Sequence, residues 1–156
     1  MMRRNLLLML ALIGSSYISY SYAQSLATIS LNVRSQVLGI CKIQSVQHID
    51  FGMLDPAQAI NTIALGALRI ACTRGLNFRI HIDSGQNFDY GLQTRRMKNS
   101  SNYALPYILT FNDQRNIGQG FNSPLNVDIK AYISGNDYRD LPTGTYIDVV
   151  RVVIEL

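Results

Sequence analysis

From Ala27 onward, apolar residues fall at every second position in a succession of short runs closed by Gly, Pro, Asn or Asp. A two-residue period belongs to strands with one face in a core, and turn-separated runs of this length describe a β-sandwich. Residues 77–83 set Phe78, Ile80 and Ile82 against Arg79, His81 and Asp83. Residues 127–133 place Val127, Ile129, Ala131 and Ile133 on one side. Further strands are expected over residues 37–46, 63–72, 103–111 and 145–156, with a short extended piece at 49–54. In the 63–72 run Ile63, Leu65 and Ala67 are read as apolar, together with Leu68 and Ile70 of the other parity, and Gly66 is a candidate bulge. The polar stretches 93–102 and 112–124 read as connections, and helix is expected for no more than one turn, at residues 55–59. The fold class is all-β.

The first twenty-three residues have the form of a secretory signal. Arg3 and Arg4 precede an apolar run at 6–13, and Ser21, Tyr22 and Ala23 suit a cleavage site. That run is well short of the ~20 residues a bilayer requires, so no membrane span is expected in a mature chain starting at Gln24. Fourteen Lys and Arg against ten Asp and Glu give a formal charge of +4, which falls to +2 once Arg3 and Arg4 are removed. A charge that small and that scattered is no footprint for nucleic acid. Arg95, Arg96 and Lys98 form the longest basic cluster and read as a solvated turn or strand edge.

In an exported chain, two cysteines read as a disulfide, so Cys41 and Cys72 are expected to be bridged. In the loop-entropy account, closing such a loop stabilises the fold by about 3–4 kcal/mol. Signs of catalysis are scarce. His48 and His81 lack partners at catalytic or metal-binding spacing, and no Gly-x-Ser-x-Gly elbow or calcium-loop pattern occurs. Neither an enzyme nor a cofactor is expected. The strand tyrosines, Tyr107 and Tyr146 among them, read as packing residues.

One run stands apart. Ala27, Ile29, Leu31 and Val33 alternate with Thr28, Ser30, Asn32 and Arg34, ahead of a β-domain that already has its own complement of strands. The expected organisation is a signal at 1–23, a leading strand segment at 24–35 and a sandwich domain at 36–156.

Specific motifs then accumulate in order. They are Cys41-Lys-Ile, Asp50-Phe51-Gly52, Ile70-Ala-Cys72-Thr73-Arg-Gly75, Leu105-Pro-Tyr107 running to Asp113, and Pro142-Thr-Gly144-Thr-Tyr146-Ile-Asp148. The series resembles the spore coat protein U domain family, which includes subunits of archaic (Csu-type) chaperone–usher pili. A departure lies at Asn116-Ile117-Gly118, where the family often carries a tryptophan; this chain has none. The resemblance implies an incomplete immunoglobulin-like sandwich lacking its last strand. Its groove would be filled first by a periplasmic chaperone and then by a neighbouring subunit's N-terminal segment, with polymerisation through an outer-membrane usher. Ala27, Ile29, Leu31 and Val33 are then the donor side chains. Tyr146, Val150, Val152 and Ile154, on a final strand with no further segment beside it, form a wall of the acceptor groove. The implied product is a homo- or heteropolymeric surface pilus supporting adhesion and biofilm formation, reached through the periplasm. Two alternatives stay open: a self-complemented secreted or spore-coat domain, and a carbohydrate-binding tip adhesin, for which the chain leaves little room.

Overall fold

The computed structural model describes residues 26–111 and 115–156, so the expected signal segment lies outside the described residues. The chain divides into two units, Met1–Ser35 and Gln36–Leu156. In the first, residues 26–35 form no strand, and Ile29, Leu31 and Val33 are 97%, 86% and 88% exposed.

The second unit contains β1 (Cys41–Gln47), β2 (Thr62–Cys72), β3 (Asn77–Ile82), β4 (Arg95–Lys98), β5 (Ala104–Phe111), β6 (Arg115–Ile117), β7 (Leu125–Ile133), α1 (Gly135–Tyr138) and β8 (Val152–Glu155). Two antiparallel sheets result: five strands in the order β1-β2-β7-β5-β4, and three in the order β6-β3-β8. The alternation read from the sequence sets the inward faces. Phe78, Ile80 and Ile82 of β3 are buried, as are Val127, Ile129, Ala131 and Ile133 of β7. Together with Leu68, Ile70 and Cys72 of β2, most of these form the main core cluster. A second cluster gathers Leu105, Tyr107, Ile133 and Tyr138.

In β2, whose two faces both carry apolar residues, the register decides which one is inward. Ala64, Leu68 and Ile70 face inward, while Ile63 and Leu65 are exposed. β7 imposes this, because Leu68 pairs with Val127 and Ala64 with Ala131, so the inward face of one strand fixes that of the other. No bulge occurs at Gly66, which pairs regularly with Ile129; the irregularity lies across the ladder, between Ile43 and Ser45 of β1. Gly66 serves close packing instead, since a Cβ there would stand 2.7 Å from Ile49 Cγ1.

The Cys41–Cys72 disulfide is formed, joining residues directly opposite each other in the β1–β2 ladder and tying an edge strand to its neighbour. Thr73 adds a second tie: its Oγ1 accepts the Ile40 N–H at 3.1 Å, and its own N–H donates to the Ile40 carbonyl at 2.9 Å. Near the C-terminal end of the chain the Tyr146 hydroxyl donates to the Pro142 carbonyl at 2.8 Å, a reach-back like that of a tyrosine corner in immunoglobulin-like sandwiches. Residues 55–59 make a single turn closed by Ala59 N–H to the Asp55 carbonyl.

The expected long C-terminal strand is a correction. Regular pairing is confined to Val152–Glu155, and Tyr146 and Val150 lie upstream of it. In that lead-in the partners change residue by residue. Ile147 exchanges both backbone bonds with Lys98 of β4, the Val149 carbonyl accepts from Gln86, and the Arg151 carbonyl accepts from Asp83. The chain there crosses from the edge of one sheet to the edge of the other, so no single ladder can hold it.

Candidate strand-binding groove

Between the sheets lies a cleft of about 210 Å³ whose apolar walls include Val46, Leu68, Ile82, Leu109, Val150 and Val152. It borders a larger hollow of about 670 Å³ reaching Leu54, Tyr138 and Tyr146. Ile49, Phe51 and Met97 line both, so the two form one trench. One side is the end of β1 and the residues after it; the other is β8 and its lead-in.

The β8 side offers more than side chains. Arg151 directs its carbonyl to Asp83 on the β3 side. Antiparallel alternation then turns the N–H and C=O groups of Val150, Val152 and Ile154 toward the opposite edge, which borders no named strand. Their side chains meanwhile pack against the main core cluster. β1 is likewise an edge strand, with Ile43 and Val46 41% and 49% exposed. An apolar trench flanked by strand edges that no strand among the described residues pairs is chemically matched to an extended segment with one apolar face.

Of the residues expected in the wall, Val150 and Val152 line the cleft, Ile154 packs beside it, and Tyr146 lines the larger hollow from its corner. Ala27, Ile29, Leu31 and Val33 lie in the first unit, exposed and outside any strand.

Sequence reasoning missed a polar group at the floor of the cleft. The Tyr107 hydroxyl, on β5, donates to Asp148 Oδ2 at 2.7 Å. Asp148 Oδ1 accepts from the Asn87 backbone N–H and from Asn87 Nδ2, each at 3.1 Å. Gly85 permits the approach, because a Cβ at that residue would run into the Asp148 carboxylate. Asp83 completes the support: its Oδ1 accepts from Arg151 N–H at 2.9 Å and Gly85 N–H at 3.0 Å, and its carbonyl accepts from Arg95 Nη2 at 2.7 Å. The sequence signals for this group were Tyr107 in the Leu105–Asp113 motif and Asp148 at the end of the Pro142–Asp148 motif, with nothing to pair the two.

Burial, and then the hydrogen bond to the Asp148 carboxylate, push the Tyr107 hydroxyl well above its ordinary ionisation range. Because the folded-state pKa is raised, the contribution is fully present below the unfolded tyrosine value of about 10 and is lost as pH climbs beyond it. Between about pH 10 and 11.5, unfolding free energy should therefore fall more steeply in the native protein than in Tyr107→Phe. Equal slopes in denaturant titrations would count against this.

The Spore Coat Protein U domain profile matches residues 27–153, and the chain belongs to that family. Comparison with curated proteins returns no match. Among solved structures, a chain of the CsuC–CsuE chaperone–tip adhesion subunit pre-assembly complex, from the archaic chaperone-usher Csu pili of Acinetobacter baumannii, is similar at 23% identity and a TM-score of 0.54. The similarity covers 77% of this chain and 40% of that one. The likeness is one of fold, and the fold here is an immunoglobulin-like all-β sandwich. Among the described residues no helix is long and apolar enough to cross a membrane.

Proposed function

We propose that the protein is a structural subunit of a chaperone–usher pilus, polymerised by donation of one copy's leading segment into the groove of the next. The observation that carries this reading is the trench itself, with apolar walls between two strand edges that no strand among the described residues pairs. The leading segment supplies the complement. Ala27, Ile29, Leu31 and Val33 share one face of an extended chain, and seven residues from 27 to 33 span roughly 20 Å at strand rise. Family membership and the fold likeness support the same assignment. On this reading a periplasmic chaperone shields the trench before assembly, an outer-membrane usher exports the growing fibre, and the finished pilus serves adhesion and biofilm formation.

Energetics favour exchange only into a groove that already exists. Burying Ile29, Leu31 and Val33 contributes about 1.5–3 kcal/mol each. Fixing the backbone takes back about 1–2 kcal/mol per residue, so ladder bonds along a ready-made edge must tip the balance.

Purified protein run under mildly denaturing electrophoresis, with and without boiling, tests the reading. A ladder of multimers that collapses to monomer on heating is expected. A single monomeric band in both lanes would replace strand exchange with self-completion.

A further inference from the structure

The walls of the cleft attract one another, because Val46, Leu68, Ile82, Leu109, Val150 and Val152 would all lose exposed apolar surface if it closed. The wall held by the least regular pairing is the stretch 147–151, which touches three different backbone partners and belongs to no regular ladder. In the middle of that stretch Asp148 turns inward while Ile147 and Val149 on either side are exposed. Its carboxylate joins the lead-in of β8 to β5 and to the connection between β3 and β4. One oxygen takes the hydroxyl of Tyr107 from the five-stranded sheet, and the other takes two N–H groups of Asn87, beyond the end of β3.

Resting on the reading of the trench as a strand acceptor, we infer that Asp148 is a positioning residue. Acting through Tyr107 and Asn87, it sets how far the lead-in of β8 stands from β5 at the cleft and holds the acceptor open before a donor strand arrives. A hydrogen-bonded strut suits this task better than packed side chains. Apolar packing at that point would draw the walls together, whereas a hydrogen bond fixes donor and acceptor at one distance. Both carboxylate oxygens already have partners, so the strut does not need the incoming strand for its own satisfaction. Gly85 belongs to the same device, since any larger residue there would displace the carboxylate.

A strut that keeps the groove competent should act on how often a strand can enter, and not on how tightly an entered strand is held. The experiment uses the full exported chain carrying Leu31→Asp, so that copies do not fill one another. A fluorescent peptide of residues 26–35 is added and followed by stopped-flow anisotropy. Tyr107→Phe and Asp148→Asn are each expected to slow association roughly tenfold with dissociation unchanged, because a smaller fraction of grooves is open. Tyr107→Phe removes a single hydroxyl and keeps the ring, and a thermal midpoint recorded alongside identifies any variant that is merely unfolded. Unchanged association in the folded variants overturns the strut while leaving strand exchange standing. A change confined to dissociation also overturns it, since that marks direct contact with the strand. If the chain with Tyr107 and Asp148 intact fails to take up the peptide, the acceptor reading itself falls.

Discussion

Leu31→Asp is expected to abolish polymerisation while leaving a folded, exported, chaperone-bound subunit. Leu31 is 86% exposed and belongs to the leading unit, so its replacement removes nothing from the sandwich core. The cost falls on assembly alone. Losing the burial of one leucine forfeits about 1.5–3 kcal/mol. Forcing a carboxylate into an apolar trench adds at least about 2 kcal/mol more. At about 1.4 kcal/mol per tenfold, the neighbour's affinity for the segment falls roughly a thousandfold. Asn32→Asp is the control. It adds the same charge one residue along, on the face that alternation turns outward, and fibre yield should stay within about twofold of the native protein. Surface fibres counted by electron microscopy, with chaperone co-purification as the readout of a competent domain, decide the matter. Normal fibres from Leu31→Asp, or equal losses from both variants, would remove the donor assignment.

How far the sequence disclosed this molecule depended on what holds each element. β3, β5 and β7 are carried by their own apolar alternation, and each lies within a residue or two of the run read from the sequence. β4 escaped because only Met97 among its four residues is apolar, and its place comes from pairing with β5. β6 is three residues long, too short for any period to register. The orientation of β2 stayed open for a related reason. Both of its faces carry apolar residues, and only the register against β7 decides which is inward. The candidate groove was legible to the same degree. Val150 and Val152 could be found by alternation, whereas the bond between Tyr107 and Asp148 joins residues 41 positions apart and leaves no local trace. Directionality along 147–151 was equally hidden, because a strand that changes partner at every step has the composition of one that does not.

Removing the bridge with Cys41→Ala and Cys72→Ala should lower stability by about 3–4 kcal/mol, through the freedom restored to the unfolded chain. With a urea dependence of about 1–3 kcal/mol per molar for a domain of this size, the unfolding midpoint falls by roughly 1–4 M. A second effect follows from where the bridge lies. Cys41 begins β1, the strand that forms one side of the trench, and Cys72 is 2% exposed within the main core cluster. β1 has a single neighbour in its sheet, and its ladder is already interrupted between Ile43 and Ser45. Without the covalent tie, the hydrogen bonds from Ile40 to the Thr73 backbone and hydroxyl still anchor the first residue or two. Beyond the interruption, residues 45–49 depend on ordinary ladder bonds and on Ile49 seated over Gly66. Native-state hydrogen exchange should therefore quicken along the far half of β1 by more than the global loss of stability accounts for, while β3 and β7 change only by the global amount. Uniform acceleration across all strands would confine the bridge to its effect on the unfolded chain and leave the groove wall to be held by packing alone.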